Sequence, residues 1–139
     1  MKNSILLLFL VFAAFAGRAQ ENVLEEHKWS IEKSQKWYED HDWMTGANFN
    51  PSTAINQLET WQEATFDPET IDRELGFAAG IGFHTMRTYL HSLAYKADPE
   101  GFKKRMNTYL DIAEKHGIKT MFVFFDDVWG KSPKACKQP

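Results

Sequence analysis

The sequence predicts an α/β fold built on parallel strands, and three observations lead there. First, Asp67-Pro68-Glu69 and Asp98-Pro99-Glu100 repeat one helix opening. Each has an Asp N-cap, a proline at the first helical position and an acid in the first turn. Second, apolar residues follow each opening at helical spacing: Ile71, Leu75, Ala78 and Ala79, then Phe102, Met106, Tyr109, Leu110 and Ala113. Gly80 and Gly117 stand where a left-handed cap should end each helix. Third, an apolar run follows each helix, Thr85 to Leu90 and Thr120 to Phe125. The second run barely alternates, as expected of a parallel strand covered on both faces.

An earlier strand is expected at Trp43 to Phe49, with Pro51 blocking any further ladder. A long connection from Asn50 to Phe66 comes next, with a helical turn started by Ser52 or Thr53. The order is strand, long loop, helix, strand, loop, helix, strand. Such alternation gives a parallel sheet, either open and doubly wound or the start of a (β/α)8 TIM barrel. No Gly-rich phosphate loop follows any strand, which weakens the nucleotide-binding open sheet. Asn48, Asn50, His91, Asp126, Asp127 and Trp129 collect just past the strand ends, the face where barrel enzymes build their sites. The expectation is therefore the N-terminal part of a barrel, with three strands and two helices, where a whole barrel needs about 250 residues. An uncovered third strand argues against a small α/β domain complete at Pro139.

The first residues read as a secretory signal peptide. Lys2 precedes an apolar stretch from Ile5 to Phe15, and Gly17-Arg18-Ala19 supplies a cleavage site. The run is too short to serve as a membrane anchor. Cleavage after residue 19 takes the chain from 139 to 120 residues. With Lys2 and Arg18 gone, 14 basic side chains face 19 acidic ones, a net charge of −5. An acidic exported chain is a poor partner for nucleic acid. Three segments follow: signal peptide 1–19, N-terminal helical segment 20–42, and a truncated α/β domain 43–139. In the helical segment Trp29, Lys33, Lys36 and Trp37 share one stripe, with Trp29 and Trp37 read as core-packing residues. Cys136 is the only cysteine, so no internal disulfide or thiolate metal site is available. The histidines show no ligand spacing, and neither metal nor cofactor is expected.

Gly82-Phe83-His84-Thr85-Met86-Arg87 resembles the second-strand signature of clan A glycoside hydrolases, usually Gly-Phe-Asn-Thr-Val-Arg. A longer set is similar to secreted, cellulase-like, family 5-type glycoside hydrolases: Trp37-Tyr38, Gly46 to Ser52, Ala54 to Glu59, Trp61-Gln62, Phe66 to Asp72 and Leu90-His91. The likeness runs from about Ser30 to Pro139. It implies a secreted or periplasmic glycosidase on a TIM barrel, cleaving β-linked poly- or oligosaccharide by retaining double displacement. Its nucleophile and acid/base are expected to be glutamates after the fourth and seventh strands, beyond residue 139. This chain alone would then be inactive. A non-catalytic carbohydrate-binding protein on the same scaffold is the alternative.

The resemblance implies that Arg87 supports catalysis by holding the nucleophilic carboxylate ionised and oriented; a structural ion pair is the plainer reading. Asn48, His91, Asp126 and Asp127 are candidate sugar-binding residues, because short polar groups at strand ends hydrogen-bond hydroxyls, although they also cap loops. Trp61 and Trp129, in loops at the presumed mouth, are candidate stacking platforms, with core packing the equal alternative. Asp126 and Asp127, as neighbours on a strand, should point to opposite faces and not act as a pair. Glu59 is expected to be solvated or hydroxyl-binding. His84, Asp127 and Gly130 depart from the residues usual in similar sequences.

Overall fold

The computed structural model describes residues 28–127 and 133–136. The signal-peptide reading at 1–19 and Trp129 lie outside the described residues. The chain divides into two compact units, Met1–Asp42 and Trp43–Pro139.

In the first unit, helix α1 (Ile31–Glu39) is capped by Ser30, whose hydroxyl accepts from the Lys33 amide at 3.2 Å. Lys36 pairs with Asp40 one turn on, at 2.8 Å. The expected stripe forms locally: the Lys33 ammonium lies 4.4 Å from the Trp29 ring centroid, and Trp37 stacks on His41 at 4.3 Å. The core-packing role expected of these tryptophans is corrected. α1 buries none of its residues, and Trp29 and Trp37 stay 51% and 38% exposed.

The second unit holds three parallel strands, β1 (Gly46–Asn48), β2 (Thr85–Tyr89) and β3 (Lys119–Val123), in the order β1-β2-β3. Between β1 and β2 lie α2 (Gln57–Thr60) and α3 (Pro68–Gly80). Between β2 and β3 lie α4 (Ser92–Ala97) and α5 (Pro99–Lys115). The sheet, with helices between its parallel strands, makes this a mixed α/β protein.

Both Asp-Pro-Glu openings cap their helices. Asp67 accepts from the Thr70 amide and Asp98 from the Gly101 amide, each at 3.0 Å. These bonds hold both carboxyls below the ordinary carboxylate value. At the other ends the glycine differs from expectation once. Gly117 has φ 68°, as anticipated, but Gly80 stays inside α3 and Gly82 takes φ 90°. Ala78-Ala79-Gly80 carries the helix two residues further. Both ends then close alike: the Phe83 amide donates to the Ala78 carbonyl and Gly82 to Ala79, while Ile118 donates to Ala113 and Gly117 to Glu114. The helices also touch through Asp72 of α3, which accepts from Lys115 at 2.7 Å and contacts His116 at 2.6 Å.

The core lies between α3, α5 and one face of the sheet. Ile71, Leu75 and Ala78 of α3 meet Phe102, Tyr109 and Ala113 of α5, with Met86 of β2 beneath them. Leu110, expected inside, is partly exposed, and Arg105 occupies the inward stripe. Its guanidinium donates Nε–H to the Trp61 carbonyl at 2.8 Å and pairs with Asp98 at 3.1 Å. On β2 Met86 and Thr88 are buried while Arg87 is exposed. Among the described residues the opposite sheet face is uncovered, and Met121 there is 57% exposed. The two-sided burial expected of β3 is therefore not met by these residues. Gly46 is needed where β1 crosses closest to β2, because a Cβ there would collide with the Thr85 carbonyl.

Two local expectations also change. The first connection's helical turn begins after Asn56, not Ser52 or Thr53, and Ser52 instead bonds Glu74 of α3 through its amide and hydroxyl. The second connection contains the short helix α4 where a plain loop is expected.

Candidate functional site

A cleft of ≈ 490 Å³ opens at the C-terminal ends of the strands. Asn48 and Tyr89, the last residues of β1 and β2, line it with Phe49 and Asn50. Ile55, Asn56 and Gln57 enter from the first connection, and Asp126 from beyond β3.

Local chemistry explains how that connection is held. Asn56 caps α2 by accepting from the Glu59 amide at 3.0 Å, and the Glu59 carboxylate accepts from the Ile55 amide at 2.8 Å. Glu59 is thus a buried loop brace, not a solvated acid. Asn50 donates to the Ala54 carbonyl at 2.6 Å and accepts from the Thr60 hydroxyl at 2.7 Å. Gln57 reaches across to donate to the Asp126 carbonyl at 2.7 Å, and the Trp61 indole N–H donates to the Tyr89 carbonyl at 2.7 Å. Side chains from one connection therefore tie down the ends of both β2 and the segment after β3.

Arg87 stands on the uncovered face of the sheet. Strand register places Asn48 beside it on β1 and Met121 on β3. Its Nε–H donates to Asn48 Oδ1 at 2.8 Å, and its guanidinium carbon lies 5.3 Å from the Tyr89 ring centroid. A cation, an amide and an aromatic ring thus share one sheet face, at and beside the cleft. That set suits a carboxylate held by the guanidinium and a flat polar ligand lying against the ring.

The other candidates fall differently. Trp61 is not a stacking platform. It has no exposed surface and sits among Phe66, Phe102, Tyr109 and Phe122 at centroid distances of 5.6 to 6.2 Å. Phe66 stacks on the indole, Phe102 and Tyr109 of α5 pack against it at a tilt and Phe122 of β3 meets it edge-on, so a sugar has nowhere to stack. His91 is likewise 1% exposed and does not line the cleft. It caps α4, with Nδ1 accepting from the Leu93 amide at 3.2 Å and lying 3.2 Å from Asp127 Oδ1. Its Nε2 is buried without a hydrogen-bond partner among the described residues. Asp126 lines the cleft as expected of its position. Asp127 turns the other way, accepting from the Ser92 amide and hydroxyl. Burial pushes its carboxyl up, but those bonds outweigh it and hold the group below the usual carboxylate range. The two aspartates follow the end of β3 rather than alternating along it, Asp126 lining the cleft and Asp127 bound to Ser92.

Tyr89, Asn56 and Gln57 were missed as cleft residues. For Tyr89 a signal existed: it follows Arg87 by two positions, so on a strand the two share a face. Gln57 carried no such signal, since its long reach to Asp126 depends on the fold. Among the described residues, no group of three or more acidic, histidine or cysteine side chains is placed to hold a metal ion, and no helix is long and apolar enough to cross a membrane. Comparison with protein-family models, curated proteins and solved structures finds no match to this chain.

Proposed function

We propose that this chain is the N-terminal part of an exported, cellulase-like glycoside hydrolase of clan A. In this reading it cleaves β-linked poly- or oligosaccharide with retention of configuration, on a (β/α)8 barrel. The observation that carries the reading is the position of Arg87. It projects from the second strand on the face away from the helices, beside a cleft at the strand ends. The motif that resembles the family's second-strand signature ends on that residue.

The sheet supports the barrel over the doubly wound alternative. Strand order runs β1-β2-β3 without reversal, and α3 and α5 share one core on one face. A doubly wound sheet reverses its strand order and carries helices on both faces. The exposed apolar groups of β3 and its end, Met121, Phe124 and Phe125, suit further strands packing beside them. Such a barrel would place Arg87 inside, near its C-terminal rim, where barrel enzymes do their chemistry.

Retaining hydrolysis needs two carboxyl groups about 5 Å apart, one as nucleophile and one as acid/base. Among the described residues lining the cleft only Asp126 is acidic. The pair is assigned to glutamates after a fourth and a seventh strand. The residues here supply the other half of the site. Arg87 holds the nucleophile ionised and aimed by charge-assisted hydrogen bonds. Tyr89 offers a ring for a sugar face, and Asp126 an acceptor for hydroxyls.

The test is kcat/KM of the full-length protein on aryl β-glycosides for wild type, Arg87→Lys and Arg87→Ala. Losing the charge-assisted contact should cost about 30- to 1,000-fold, and lysine should rescue only part because it lacks the planar fork. Near wild-type activity in folded Arg87→Ala would make the residue structural. Tight glycan binding without cleavage would favour the carbohydrate-binding scaffold.

A further inference from the structure

We infer that Asn48 is a positioning residue for Arg87, and that it acts through the guanidinium rather than by gripping sugar. The inference rests on the glycosidase reading for its kinetic consequence but on the geometry alone for the pair. Asn48 and Arg87 are register partners on adjacent parallel strands, both exposed on the uncovered face. The bond between them runs from Arg87 Nε–H to Asn48 Oδ1 at 2.8 Å. Spending Nε in this way fixes the plane of the guanidinium. It leaves the two terminal nitrogens as an end-on fork, the geometry that receives a carboxylate with two parallel hydrogen bonds.

The surroundings leave Asn48 as the polar member of the row. Met121, at the same register on β3, offers only a thioether. The Tyr89 ring, 5.3 Å from the guanidinium carbon, forms an aromatic shelf that limits swing in another direction. Among the described residues Asn48 makes the one side-chain hydrogen bond to Arg87. Without it the long arginine side chain regains rotamer freedom, and the fork is no longer held on its target.

The experiment combines kinetics with a structural readout on the full-length protein. Asn48→Ala should lower kcat about 10- to 100-fold at unchanged KM, as expected of a misplaced catalytic contact. The acid limb of its kcat/KM profile should move to higher pH, because the carboxylate loses a fixed cation. Asn48→Asp keeps the acceptor oxygen and should recover part of kcat. In an Arg87→Ala background, Asn48→Ala should cost nothing further. Independently of turnover, the Arg87 Nε–H resonance in a ¹⁵N NMR spectrum should be protected from exchange in wild type and Asn48→Asp, and lose protection in Asn48→Ala. A rise in KM with kcat intact, or losses that multiply in the double variant, would return Asn48 to sugar binding and overturn the inference. An unprotected Nε–H in wild type would overturn it as well. A protected Nε–H in a protein that cleaves no β-glycoside would retain the pair and remove the glycosidase reading instead.

Discussion

Replacing Trp61 separates two roles for one indole, core anchor and sugar platform, because they respond in different measurements. The ring has no exposed surface, packs on four aromatic neighbours and donates its N–H to the Tyr89 carbonyl. Trp61→Phe keeps a ring in the cluster but withdraws the donor from a half-buried carbonyl, at a cost of about 1–2 kcal/mol. Trp61→Ala adds a large cavity and should cost about 3–5 kcal/mol. In a domain of about 150–250 residues each kcal/mol lowers Tm by roughly 2–4 °C. Denaturant and thermal unfolding of the full-length protein would read these losses. Assays well below the transition should find the surviving Trp61→Phe molecules close to wild type in kcat/KM. Wild-type stability combined with a large fall in activity would refute the core assignment and restore a ligand-facing Trp61.

Three further outcomes follow from the same packing. Gly46→Ala forces a methyl group onto the Thr85 carbonyl and should destabilise by about 1–3 kcal/mol or more, measured by urea unfolding. Arg105→Met fills similar space but removes the donor to the buried Trp61 carbonyl, which should cost about 1–3 kcal/mol in the same assay. Asp67, Asp72 and Asp98 all titrate below their ordinary value of 3.8 in the folded chain. Their contribution is therefore present above that value and lost as pH falls through the lower folded values. A Tm series in acid should show that loss, and Asp98→Asn, which still caps but cannot titrate, should flatten it.

Much of the scaffold was legible because its signals are local. An Asp-Pro-Glu opening determines its own cap through bonds three residues away, so both long helices begin where the sequence places them. The run from Thr85 to Leu90 after the first helix put Arg87 on a strand, as found. Burial of loop residues was not legible in the same way. Trp61 sits in a connection that reads as exposed, and Phe102 and Tyr109 of α5 and Phe122 of β3, all more than forty residues on, help enclose it. Glu59 and His91 looked like surface polar groups for the same reason, yet each is consumed by a nearby backbone amide. The end of α3 was missed by two residues because Gly80 offers a possible stop that two preceding alanines override.

The cleft at the strand ends is proposed as half of a retaining glycosidase site. The most direct measurement follows the full-length protein by proton NMR as it acts on β-linked oligosaccharides of several sugars. The β anomer of the new reducing end should appear first and then mutarotate. First appearance of the α anomer, or no cleavage of any β-linked substrate by folded protein, would contradict it.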